Sequence, residues 1–306
     1  MGKETMRAIK KDMLPVFKDV HLADINRSML LTELDKVVAR GARVMANHLF
    51  SSLRQFYNYA AAREWVEANP LAGLSKDKIG GREQTRERHL SQNEIIELKN
   101  ALPQANLLHT TERAIWIMLA TCCRVGELSK AKWQDVNFDQ EKWLIPAGNS
   151  KNAKDHTIYL SDFAKQQFQD LKSLTGVSDW CFPSRDGNNY ICLKSISKQI
   201  RDRTREAPLS NRTKATETLI LSGGPWTPHD LRRTSATLMG ELGVMGEVIE
   251  RCLNHMEQNK LKRIYQRHEF KSEQFDAWSR LGDRLALLLS TDGNENITVG
   301  QFHKSA

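Results

Sequence analysis

Disulfide chemistry has little to work with in this chain. Its 306 residues include five cysteines, an odd number, and no Cys-x-x-Cys pair or Cys/His zinc spacing occurs. A disulfide framework and a zinc ribbon are therefore excluded. Cys122, Cys123, Cys181, Cys192 and Cys252 are expected to be reduced, mostly buried thiols of a cytosolic protein. Apolar runs are short as well. None approaches the roughly 20 residues that cross a bilayer. The stretch "MGKETMRAIKKDM" has no apolar core of a secretory signal. Gly2 follows Met1, but Met6 stands where a myristoylation signal wants Ser or Thr. No Walker-type Gly-rich loop ending in Lys is found. No cluster of Asp and Glu suited to paired Mg²⁺ ions is found either. Nucleotide hydrolysis and two-metal phosphoryl chemistry are not expected.

What the chain does have is positive charge. Lys and Arg total 45 against 37 Asp and Glu, a formal net charge of +8. That excess favours an anionic partner, of which nucleic acid is the commonest. With 40% hydrophobic residues the chain can bury a core, which argues against wholesale disorder.

The apolar spacing divides the chain. Residues 1–75 read as a small helical bundle. "SMLLTELDKVVARG" puts Leu30, Leu34, Val37 and Val38 on one face and stops at Gly41. In "RVMANHLFSSLRQFYNYAAAREW" the expected inward residues are Val44, Leu49, Leu53, Phe56, Tyr59 and Ala60. Pro70 disfavours helix at Asn69. Residues 76–90, polar and carrying Gly80–Gly81, read as a linker. Ser91 and Glu94 then form a capping box.

Residues 91–290 read as a mixed α+β domain. A buried helix is expected over about 111–122 and continues through "VGELSKAKW". Short strands are expected in "WQDVNFD", "KWLIPA" and "HTIYLS", the last two joined as a hairpin with a basic tip. Further helices follow, one starting near His229. In the last, Phe275, Trp278, Leu281, Leu285 and Leu288 form an apolar stripe. Residues 291–306 read as a polar C-terminal tail. The fold class expected is mainly α with a small antiparallel β-sheet.

Four places could handle a phosphate, and each has an ordinary structural reading. Arg124 and Glu127 are spaced as a local ion pair. His229 and Arg232 share a helix face at a helix start, which suits either a capped N-terminus or an oxyanion. Lys151 and Lys154 sit at the hairpin tip, a place that is usually solvated but can reach into a site. His255 and Tyr265 frame a basic stretch, "HMEQNKLKRIY".

Taken in order, these residues resemble the tyrosine recombinase (phage integrase) family. The resemblance rests on Arg124 in "CRVGEL", the hairpin Lys151, "HDLRRT" with His229 and Arg232, "LNH" with His255, and the following Tyr265. Asn254 stands where the family usually has Gly, and the interval from His255 to Tyr265 is one residue longer than in many members. His156, five residues after Lys151, is similar to the satellite-phage and genomic-island branch. The resemblance covers nearly the whole chain, with residues 1–75 similar to the helical (SAM-like) core-binding domain and 91–290 to the catalytic domain. Integrases of this branch usually carry an arm-binding domain ahead of these two, and "MGKETMRAIKKDMLP" is similar to its end or its linker.

The family's activity would make this chain a site-specific DNA recombinase of a prophage or other mobile element. Tyr265 would attack a backbone phosphodiester and form a 3′-phosphotyrosyl bond. His229 would take or share the phenol proton. Arg124, Arg232 and His255 would hold the phosphate oxygens. Lys151 would protonate the leaving 5′-oxygen, and Glu127 would steady Arg124. No metal and no cofactor are implied. The implied partners are double-stranded DNA at attachment or core sites, a homotetramer on that DNA, and DNA-bending accessory proteins, with no membrane. The implied location is the bacterial cytoplasm, in association with the nucleoid. Lys194, Lys198, Arg201, Arg212 and Lys214, in a stretch with seven basic and two acidic residues, are candidate phosphate contacts. In the family the segment after the tyrosine often docks on a neighbouring subunit, which the last apolar stripe could do. The alternatives are a non-catalytic accessory factor or repressor derived from an integrase, and a type IB topoisomerase.

Overall fold

The computed structural model describes residues 2–256 and 268–290. The chain separates into two compact units, Met1–Glu87 and Arg88–Ala306.

The first unit is helical: α1 (Lys3–Asp12), α2 (Leu14–Phe17), α3 (Arg27–Ala39) and α4 (Arg43–Ala62). Asn26 caps α3, its Oδ1 accepting from the Met29 amide at 3.1 Å. Leu30, Leu34 and Val37 are buried as their spacing predicts. The long helix α4 differs from expectation. Val44, Phe56 and Tyr59 are exposed, and the inward stripe is Ala46, Asn47, Leu49, Phe50, Leu53, Tyr57 and Ala60. Its aromatic-rich surface let two stripes compete on spacing alone. The outer aromatics find partners at the surface, Tyr59 packing edge-on against Trp65 at 5.7 Å.

The polar segment after residue 75 is not free chain. The buried Asn47 accepts from the Gly80 amide at 2.9 Å, and donates to the Gly81 carbonyl at 3.0 Å and to Glu83 at 3.2 Å. A β-carbon at Gly80 would lie 2.3 Å from the Arg43 carbonyl, so only glycine allows this approach.

The second unit surrounds α6 (His109–Thr121), which is buried on every side from Ala114 onward and is preceded by α5 (Gln92–Ala101). The expected capping box of Ser91 and Glu94 opens α5. The expected continuation through "VGELSKAKW" stops early, since α7 covers only Val125–Ser129. The chain leaves the helix there because the Ala131 carbonyl accepts from the Cys181 amide at 2.9 Å. Strands β1 (Val136–Asn137), β2 (Lys142–Ile145) and β3 (His156–Tyr159) form one antiparallel sheet in that order. Within the hairpin Trp143 pairs with Ile158 and Ile145 with His156, so these four side chains share the inward face. Helices α8 (Asp162–Thr175), α9 (Ser195–Arg203), α10 (Pro228–Glu241), α11 (Gly246–Cys252) and α12 (Lys271–Ser290) complete the unit. The apolar stripe of α12 is not available to a neighbour. Trp278, Leu281, Leu285 and Leu288 are buried against this unit's own helices, and only Phe275 is exposed.

Candidate active site

Helix ends build this site. Helix α11 finishes in a Schellman motif: the Asn254 amide donates to the Arg251 carbonyl at 2.9 Å, and the His255 amide to the Glu250 carbonyl at 3.0 Å. The motif needs a left-handed residue at Asn254, whose φ is +48°. Glycine is the usual occupant of such a place, and Asn tolerates it better than most residues. The turn therefore tolerates Asn where the family usually has glycine. The turn also fixes His255, whose Nδ1 lies 2.8 Å from the Glu250 carboxylate.

The same helix end frees the Leu253 carbonyl, and two guanidinium groups converge on it. Arg232 Nη2 donates to it, and Arg124 Nη2 reaches it at 3.5 Å. Arg232 also donates through Nη1 to the Cys122 carbonyl, where α6 ends in a left-handed residue with φ +56°. A buried cation thus bridges the carbonyl ends of two helices, where helix dipoles favour positive charge. Arg232 is only 4% exposed. Burial first, then the neighbouring charge of Arg124, lowers its pKa.

Arg124 begins α7. Its backbone amide donates to Glu127 Oε2 at 2.8 Å and its Nη1 to Oε1 at 2.7 Å. One buried carboxylate therefore holds both the main chain and the side chain. The Arg124 side chain keeps 24% of its surface open.

Thr227 caps α10 with Asp230, and this places His229 on the exposed side of the first turn. Partial burial of its ring, then the charges of Arg233 and Arg232, lower the His229 pKa, so the neutral imidazole is favoured. A neutral imidazole can accept a proton.

Lys151 is exposed at the hairpin tip. Its neighbours tie that tip to the α11 turn: Asn152 Nδ2 donates to Asn254 Oδ1 at 2.7 Å, and Asn254 Nδ2 to Ser150 Oγ at 3.0 Å. The structure therefore brings the segments bearing Arg124, Lys151, Arg232 and His255 together. Tyr265 lies outside the described residues. Lys194, Lys198, Arg201 and Lys214 are exposed around α9, and Arg212 is paired with Asp202 at 2.8 Å.

Sequence reasoning noted His156 but gave it no place in the site. It lies on the inner face of β3, where the alternation with Ile158 was the available signal. Burial pushes its pKa down to about 4, although nearby Glu127 and a hydrogen bond to the Cys252 carbonyl work the other way. Burial likewise pushes the Cys122 thiol up to about 11 and Cys123 up to about 12, which keeps both protonated and unreactive.

Among known proteins, the chain is 26% identical over 267 residues to prophage integrase IntA of Escherichia coli, covering 86% of this chain and 60% of that protein. It is 25% identical over 279 residues to the integrase of Enterobacteria phage P4, covering 85% of this chain and 59% of that one. The chain thus spans about three-fifths of the length of these relatives. In fold it is similar to a lambda integrase tetramer bound to a Holliday junction, with a TM-score of 0.64 at 19% identity over 84% of this chain and 70% of that one. The model of the phage integrase central domain matches residues 1–77, and that of the phage integrase family matches residues 88–272, so the chain belongs to the phage integrase family.

Proposed function

We propose that this chain is a site-specific DNA recombinase that cuts and rejoins strands through a phosphotyrosyl intermediate. The observation that carries this reading is the convergence of Arg124 and Arg232 on the turn that presents His255. Two planar, permanently charged forks beside a histidine suit the non-bridging oxygens of a phosphodiester.

In this reading the Tyr265 oxygen attacks phosphorus. The phenol proton passes toward His229, whose neutral form is favoured. The bond from phosphorus to the 5′-oxygen breaks, and Lys151 delivers a proton to that oxygen. Negative charge gathering on the phosphate is met by Arg124, Arg232 and His255, and each preorganised donor of this kind is worth roughly 3–4 kcal/mol. Glu127 acts through Arg124. The arginines supply the positive charge a metal would bring, and the phosphotyrosyl bond conserves the energy needed for rejoining. Neither metal nor nucleotide enters the reading.

Double-stranded DNA is the substrate and a homotetramer on DNA the working assembly, in keeping with the lambda integrase neighbour and the net charge of +8. Lys194, Lys198, Arg201 and Lys214 would contact the phosphate backbone. Arg212 would do so only by leaving Asp202. DNA-bending accessory proteins and a nucleoid location belong to the same reading.

The test is covalent trapping on nicked attachment-site DNA, with chelator present and no nucleotide. The parent should give a denaturant-resistant protein–DNA band, and Tyr265→Phe should give none. Tight DNA binding without a band in the parent would overturn the recombinase reading in favour of an accessory binder.

A further inference from the structure

The hairpin tip is tied to the α11 turn by a closed ring of side chains. Asn254 Nδ2 donates to Ser150 Oγ at 3.0 Å, Ser150 Oγ donates to Asn152 Oδ1 at 2.5 Å, and Asn152 Nδ2 donates to Asn254 Oδ1 at 2.7 Å. Each member both donates and accepts, an arrangement in which hydrogen bonds reinforce one another. Asn152 Nδ2 also lies 3.4 Å from the Asn254 carbonyl. Lys151 is the residue enclosed between Ser150 and Asn152.

We propose that Asn254 is a positioning residue: its carboxamide latches the hairpin tip so that Lys151 is presented beside His255. This rests on the reading of Lys151 as the proton donor to the leaving oxygen. Three observations carry it. In the tip of five residues, 150–154, Lys151, Ala153 and Lys154 are exposed and only Ser150 and Asn152 are half-buried, and Ala153 has φ +53°. The left-handed turn at 254 accepts glycine without strain, so backbone geometry does not explain why a side chain is present there. That side chain makes its hydrogen bonds to the two residues flanking Lys151. A latch of this kind reduces the freedom that a long lysine on a loop would lose on each turnover.

The experiment compares the parent with Asn254→Gly and Asn152→Ala on two DNA substrates. One carries the natural 5′-oxygen at the scissile phosphate. The other carries sulfur there, so that a thiolate departs without needing a proton. Asn254→Gly should cleave the oxygen substrate roughly 10–100-fold more slowly at saturating DNA, part of the 10²–10⁴ that a placed general acid supplies. It should cleave the sulfur substrate at close to the parental rate, with DNA affinity and melting temperature unchanged. Asn152→Ala should behave alike, and the double variant should be no slower than either single. Equal slowing on both substrates, or no slowing on oxygen, would overturn the proposal. A parent that cleaves neither substrate would instead sink the recombinase reading. The latch is then read by amide hydrogen exchange, which should be faster at residues 150–154 in Asn254→Gly, and unchanged exchange would refute it.

Discussion

His156 shows how much one residue takes from its surroundings. Its ring lies on the inward face of β3, 6.2 Å from the Trp278 ring and close to Glu127. An imidazole free in an unfolded chain titrates near 6.5, and here burial pushes that down to about 4. The unfolded state therefore binds more protons between these values, and stability falls as pH drops from about 6.5 toward 4. Between pH 7.5 and 4.5 the loss is about 2–3 kcal/mol. Urea unfolding of the parent and of His156→Asn at pH 7.5 and 4.5 measures it. The variant should lose less stability over that interval by about this amount, and matching losses would refute the assignment. The site residues divide along similar lines. Arg124, His229 and Arg232 were singled out through the family resemblance, as was Tyr265, which lies outside the described residues. The shared Leu253 carbonyl was not, because a main-chain acceptor carries no signature in the amino-acid alphabet.

At the scale of elements, α12 is the clearest case. Its apolar period was plain, but period alone cannot say whether a stripe faces its own unit or a neighbour. Burial of Trp278, Leu281, Leu285 and Leu288 decides for its own unit. Gly282 lies within that contact. A β-carbon there would come within 2.2 Å of Ser161 Oγ and 2.3 Å of its Cβ, at the serine that caps α8. Gly282→Ala should therefore overpack this crossing at a cost of about 1–3 kcal/mol, lowering the melting temperature by roughly 2–10 °C. Differential scanning calorimetry checks this, and an unshifted transition would show that the helices can part without cost. The early stop of α7 belongs to the same scale. "VGELSKAKW" carries good helix formers at Glu127, Leu128, Lys130, Ala131 and Lys132, yet the bond from the Cys181 amide to the Ala131 carbonyl ends the helix from fifty residues away in sequence.

At the scale of the whole molecule, the two units have separate cores. Leu30, Leu34, Leu49, Phe50, Tyr57 and Leu71 belong to the first, and α6 lies at the centre of the second. A chain of residues 1–87 should fold alone and melt cooperatively, because it contains that core and every partner described for Asn47. A chain of residues 1–75 should be weaker by about 1–3 kcal/mol, since the buried Asn47 amide loses Gly80, Gly81 and Glu83. Circular dichroism melts of the two fragments decide the matter, and equal stability would mean that Asn47 finds water instead.

By itself the sequence determined the helical class, the β-hairpin, the capped start of α5, and the ordered residues that carry the family likeness. The first three rest on local spacing, which the amino-acid order states directly, and the last on a resemblance carried by motifs spread along the chain. Tertiary structure decided which face of α4 turns inward, where α7 stops, what α12 covers, and how Asn254 meets the hairpin. Those outcomes depend on partners distant in sequence, where several arrangements bury similar apolar surface and only the three-dimensional fit of backbone carbonyls, amides and small residues separates them.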